Sequence, residues 1–169
     1  MKKILVVLFA AMLALPVVSV AQKLGHINSQ ELLSLMPESK TAEEKLKAKE
    51  QEVQKQMQDL QTQYQGLFKE YAEAMEAGSL SAEAQKAKED SLQAMQTKIR
   101  SYQEQAQKDM EKLQKDLLGP IFEKANKAIQ TVGTNNGFTY VFDTSARSIV
   151  FVSPNSEDIL PLVKTELGI

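Results

Sequence analysis

The chain of 169 residues holds one histidine, His26, and no cysteine. The side chains that most often supply a nucleophile, a general base or a transition-metal ligand are therefore almost missing. His26 has no carboxylate or thiol at ligand spacing and reads as an ordinary strand or interface residue. Carboxylates are plentiful, but they sit in a repetitive Gln/Lys/Glu sequence where a helix surface solvates them. No G-x-x-x-x-G-K-[ST] loop is present to cradle a nucleotide. An enzyme is thus the least supported reading, and no cofactor or metal is expected. What remains is contact chemistry: Met, Phe and Tyr scattered among Gln and charged residues give adaptable contact, because a flexible thioether packs against many shapes. Phe68, Met75 and Leu118 lie beside the main apolar strip rather than on it, which makes them candidates for facing a partner. The competing reading is that they only broaden the strip against a neighbouring helix.

The elements that position these residues begin after an address label. Met1 to Ala21 reads Lys2-Lys3, an apolar run from Ile4 to Leu15, then Pro16 and small residues ending Ser19-Val20-Ala21. That is the pattern of a secretory signal peptide over residues 1–21, too short in its apolar part to cross a bilayer as a stable helix. No Cys follows it, which excludes lipid attachment by the bacterial lipoprotein route. Removing Lys2 and Lys3 from the 20 basic residues leaves 18 against 22 acidic ones, a net of −4. A chain so charged offers nothing to nucleic acid. With 6% aromatic residues and no disulfide, its stability must come from packing or from assembly with other chains.

Residues 38–132 are rich in Ala, Glu, Lys, Gln and Met, all good helix formers. Apolar residues at Leu46, Val53, Met57, Leu60, Tyr64, Leu67, Tyr71 and Ala74 form a heptad seam. A second seam runs through Leu92, Met95, Ile99, Tyr102, Ala106, Met110, Leu113 and Leu117, with a stutter around Ala106. Between them, near residues 77–82, Gly78 can end one helix in the left-handed conformation while Ser79 or Ser81 caps the next. The seams predict an antiparallel hairpin on the order of 55 to 60 Å long, which must project from any body of this mass. Its surface offers ion pairs at Glu43 with Lys47, Glu104 with Lys108 and Glu111 with Lys115. Glu43, Glu50 and Asp109 interrupt the seam, and Gly119-Pro120 is expected to break or kink the second helix.

The flanks are β-like and short. Residues 22–37 predict a strand over Lys23 to Asn28 and a helical turn over Gln30 to Met36. Residues 133–169 predict strands over Phe138 to Asp143 and Ser148 to Val152, and a last helix carrying Leu162, Val163 and Leu167 with Pro161 in its first turn. The fold class is α+β and mostly α: a long antiparallel coiled-coil hairpin on a small β-rich body. Such a body makes a poor core and has exposed edges, so the bases of several chains are expected to join.

The order of Lys23-Leu24-Gly25-His26-Ile27-Asn28, the Gln/Lys/Glu hairpin, Gly119-Pro120-Ile121, Lys127-Ala128-Ile129, Gly137-Phe138-Thr139-Tyr140-Val141-Phe142-Asp143 and Val152-Ser153-Pro154 resembles the Skp/OmpH family of periplasmic chaperones. The resemblance spans the mature chain. It implies a homotrimer with a β-rich trimerisation body and three helical tentacles around a cavity, which holds unfolded outer-membrane β-barrel proteins in transit without ATP. It implies the periplasm of a Gram-negative bacterium and no stable membrane insertion. Lipopolysaccharide binding is proposed for the family on a basic cluster, but residues 70–90 here carry six acidic residues against Lys86 and Lys88, which speaks against that ligand for this chain. The alternative is a coiled-coil adaptor or spacer in an envelope complex; a polar tip and a seam with charged gaps suit a fixed partner poorly.

Overall fold

The computed structural model describes residues 22–146 and 148–169. The signal-peptide expectation, residues 1–21, lies outside them. Strand β1 (Leu24–Ile27) leads into α1 (Ser29–Leu35), α2 (Pro37–Glu76) and α3 (Ala82–Asn135), followed by β2 (Tyr140–Asp143), β3 (Glu157–Asp158) and α4 (Leu160–Leu167).

Local chemistry explains the element ends. The Asn28 side chain accepts from the Glu31 amide at 3.1 Å and caps α1. Pro37 opens α2, where its missing N–H costs nothing. Gly78 takes φ +61° at the tip, and of the two serines considered it is Ser81 whose Oγ accepts from the Ala84 amide at 3.2 Å and starts α3.

The hairpin holds together along both predicted seams. All sixteen seam residues are buried or half-buried, with Leu60 and Ala106 the most enclosed. Polar bonds tie the arms toward the tip: the Gln96 amide donates to the Tyr64 hydroxyl, and the Tyr71 hydroxyl donates to Glu89, both at 2.8 Å. At the root, Lys124 of α3 pairs with Glu38 of α2. The three predicted surface pairs are not formed. Lys49 pairs with Glu52, Lys69 with Glu73 and Lys112 with Asp116 instead, as long side chains on an exposed helix choose among several partners of nearly equal energy. The expected break at Gly119-Pro120 is also absent. Helix α3 runs through Pro120, because Ile121, Ala125, Ala128 and Val132 beyond it are buried in the core and carry the helix on.

The core lies at the root of the hairpin, where Ile27, Leu32, Met36, Ala42, Ile121 and Val163 pack together with small residues of α3. The sheet is parallel throughout, in the order β2-β1-β3. Parallel neighbours need a crossover; between β1 and β2 the whole hairpin serves as one. Gly25 has to be glycine for space, since a Cβ there would lie 2.7 Å from the Phe138 ring and 3.1 Å from Ile159. The predicted strand over Ser148 to Val152 is not one in the single chain. The third strand is Glu157–Asp158, and Val150 and Phe151 stand 95% and 77% exposed. The apolar, β-branched run is real, but nothing among the described residues pairs with it.

Candidate functional site

A groove runs along one side of the hairpin. Near the root it is lined by Ser39, Glu43, Leu46, Lys47 and Glu50 of α2 and by Met110, Gln114 and Leu118 of α3. The charged gaps in the seam create it: Glu43 and Glu50 stand where the repeat calls for apolar residues, remain exposed, and leave Leu46 and Met110 only partly covered. From Glu50 the groove continues along Val53, Gln54, Met57 and Gln61. In the other direction Gln114 and Leu118 are shared with a hollow that includes Gly119 and Phe122. Phe122 in turn opens onto a cavity of the base of about 250 Å³, lined by Ile27, Leu33, Phe122, Ala125, Ile129 and Val141 with Ser29, Asn126 and Asp143. Shared lining residues make these four hollows neighbours in a row from the base to the middle of the arm.

The three predicted residues are not a cluster. Leu118 is half-buried, packs on the core and lines the root of the groove. Phe68 and Met75 are exposed far toward the tip, on the order of 40 and 50 Å away along the hairpin. They nonetheless belong to the same side. Gln54, Gln61, Phe68 and Met75 follow one another at steps of seven, and the first two line the groove, so the last two extend its edge. The Phe68 ring stacks with Tyr64 at 6.4 Å between centroids. Phe122, which helical spacing groups with the buried Ala125 and Val132, is exposed instead, and its position four residues after Leu118 is the signal that marks it as a contact residue.

Charge around the track is fixed by local pairs. Hydrogen bonding from Lys124 holds Glu38 below its ordinary range. Burial pushes Asp143 up, but hydrogen bonds from Ser29 and Ser145 outweigh it and the carboxyl is held low; the Ser29 hydroxyl donates to it at 2.5 Å and the Ser145 amide at 2.9 Å. Among the described residues no group of three or more potential ligands gathers for a metal ion, and no helix is long and apolar enough to cross a membrane. What the described residues offer is grooved, half-apolar contact.

A family model described as outer membrane protein (OmpH-like) matches residues 23–167. The chain belongs to the OmpH-like family. The fold agrees with that of a crystal structure described as an OmpH-like outer membrane chaperone from Caulobacter crescentus CB15, with a TM-score of 0.73, 17% identity, and coverage of 88% of this chain and 86% of that one. None of the curated proteins compared with the chain matches it. For this OmpH-like chain, the family resemblance read from the order of its motifs is thereby shown.

Proposed function

We propose that the protein is an ATP-independent holdase of the periplasm that binds unfolded outer-membrane β-barrel proteins and keeps them from aggregating in transit. Family membership supports a chaperone of outer membrane proteins and a non-enzymatic role. The observation that carries the reading is the row of half-apolar hollows from the base cavity past Phe122 and Leu118 to Gln61, with Phe68 and Met75 exposed beyond it toward the tip. An unfolded barrel strand presents alternating apolar side chains. A long track of weak contacts shields them while remaining easy to leave.

In this reading residues 22–37 and 133–169 form the body, 38–132 the arm, and 1–21 a signal peptide that sends the chain across the inner membrane. Three copies joined at the body place three grooves around one client, so that tight capture arises from multiplicity rather than from any strong contact. Phe68, Met75 and Leu118 face the client. Lipopolysaccharide has no basic cluster to meet at the tip.

The test dilutes a urea-unfolded outer-membrane barrel protein with and without this protein, without nucleotide, and follows light scattering. Suppression at about one trimer per client is the expected result. Undiminished aggregation at a several-fold excess of trimer counts against the holdase and leaves the family's fold serving as an envelope adaptor.

A further inference from the structure

With no cysteine in the chain, methionine supplies all of its sulfur. An oxidant that reaches the protein meets no thiol to intercept it. Five methionines lie among the described residues, and the structure ranks them by access. Met36 is 1% exposed in the core, Met57, Met95 and Met110 are half-buried along the seams, and Met75 is 44% exposed beside the tip.

Position sets Met75 apart in two further ways. The end of α2 closes around it through main-chain bonds, the Ala77 amide donating to the Glu73 carbonyl and the Gly78 amide to the carbonyl of Met75 itself, both at 3.1 Å. A chemical change at the thioether leaves those bonds alone. The surroundings also select among oxidants. Glu70, Glu73, Glu76, Glu83, Glu89 and Asp90 outnumber Lys86 and Lys88 over residues 70–90, so a negatively charged oxidant is disfavoured there while an uncharged one approaches freely.

We propose that Met75 is an oxidation site at which hydrogen peroxide reversibly weakens the hold of this chain on its clients. This rests on the reading of Met75 as a client-facing residue. The thioether sulfur attacks one peroxide oxygen, forming an S–O bond as the O–O bond breaks. The departing hydroxide takes the proton left on the transferred oxygen, so the products are a sulfoxide and water; sulfur gives up two electrons and the peroxide gains them. A flexible apolar side chain thereby becomes a polar, chiral one, and the adaptable contact that suits an unfolded strand is lost. Packing shields Met36 and partly shields the three seam methionines, so a mild dose changes the contact surface and spares the fold. The step is undone by a methionine sulfoxide reductase, which passes two electrons and two protons from a dithiol to the sulfoxide and leaves a disulfide and water.

The test exposes the mature chain to graded hydrogen peroxide, stops the reaction with free methionine, and reads sulfoxide at each methionine by peptide mass spectrometry. Light scattering of a urea-diluted outer-membrane barrel protein reads holding on the same samples. Met75 is expected to oxidise ahead of Met57, Met95 and Met110 and at least about tenfold faster than Met36. At the dose that converts Met75 alone, holding is expected to fall about fivefold, with circular dichroism and sedimentation unchanged. The two reductases, one for each sulfoxide epimer, with dithiothreitol are expected to restore it. Met75→Leu, normalised to its own untreated sample, is expected to lose nothing at that dose. Met75→Gln, polar and inert to peroxide, is expected to hold as poorly from the outset as the oxidised parent. Oxidation of Met75 no faster than of the seam methionines overturns the proposal, as does a loss that persists in Met75→Leu. An untreated chain that holds no client overturns the holdase and this proposal together; one that holds equally well before and after Met75 is converted overturns this proposal alone.

Discussion

Phe68 and Met75 are each a single exposed apolar side chain on a polar helix, and their worth lies in what approaches them. Burying half of such a side chain contributes about 1 kcal/mol. The double change Phe68→Ser with Met75→Ser is therefore expected to weaken client holding about thirtyfold, with sedimentation unchanged; equal suppression of aggregation by the variant removes both residues from the site. Phe122→Ser is expected to act likewise at the root of the groove. Asp143 belongs to the same scale. Its carboxyl is held low, so it contributes stability above the unfolded carboxylate pKa of about 3.9, and that contribution is lost as pH falls through the lower folded value. Acid unfolding of Asp143→Asn should show a shallower pH dependence below about pH 4 than the parent. The types of these residues were legible in the sequence. Exposure was not, because Leu118 and Phe68 look alike as letters beside a seam, and only the packing of α3 on the base half-buries the first.

Elements divide by how local their cause is. Both helical arms, their seams, the turn at Gly78 and the terminal helix follow from periodicity and capping within a few residues, which is why they were readable. Of the three strands, Leu24–Ile27 and Tyr140–Asp143 were readable and Glu157–Asp158 was not; parallel pairing between the first two spans more than a hundred residues and leaves no short-range turn signal. Pro120 shows the limit from the other side. A local rule for breaking a helix was overridden by the burial of Ile121, Ala125 and Ala128 beyond it. Pro120→Ala restores a donor to the Asp116 carbonyl, and thermal melting should show a gain of about 1 to 3 kcal/mol; a lowered Tm would mean the proline fits a bend the helix needs. Leu60→Ala, at the most buried point of the arm, is expected to cost about 2 to 4 kcal/mol in urea titration. Gly25→Ala, which drives a Cβ into Phe138, should destabilise the base while leaving the helical content of the arm largely intact.

Taken whole, the molecule is a helical rod on a base too small to hide its own apolar surface. The rod takes its cohesion from a seam of half-buried residues; the base buries a modest core on one side of its sheet and leaves Tyr140, Phe142, Val150 and Phe151 in water on the other parts of its surface. Multiplicity makes a prediction at this scale. If three arms share each client, a variant that assembles poorly should lose far more holding than its loss of any one contact residue explains, by roughly two orders of magnitude. Comparing aggregation suppression by Tyr140→Glu with that by Phe68→Ser at equal protomer concentration measures this.

By itself the sequence determined what depends on neighbours along the chain: two long helices, where they turn, which side of each is apolar, the want of catalytic groups, and the order of motifs that marks the OmpH-like family. Only the tertiary structure decided which strands pair, that the helix passes through Pro120, that the gaps at Glu43 and Glu50 open into a groove beside the base, and that the sheet has a side left uncovered by the described residues. Helix periodicity repeats every few residues and is written locally, whereas sheet register, groove continuity and exposure are set by residues far apart in sequence whose meeting no local pattern encodes.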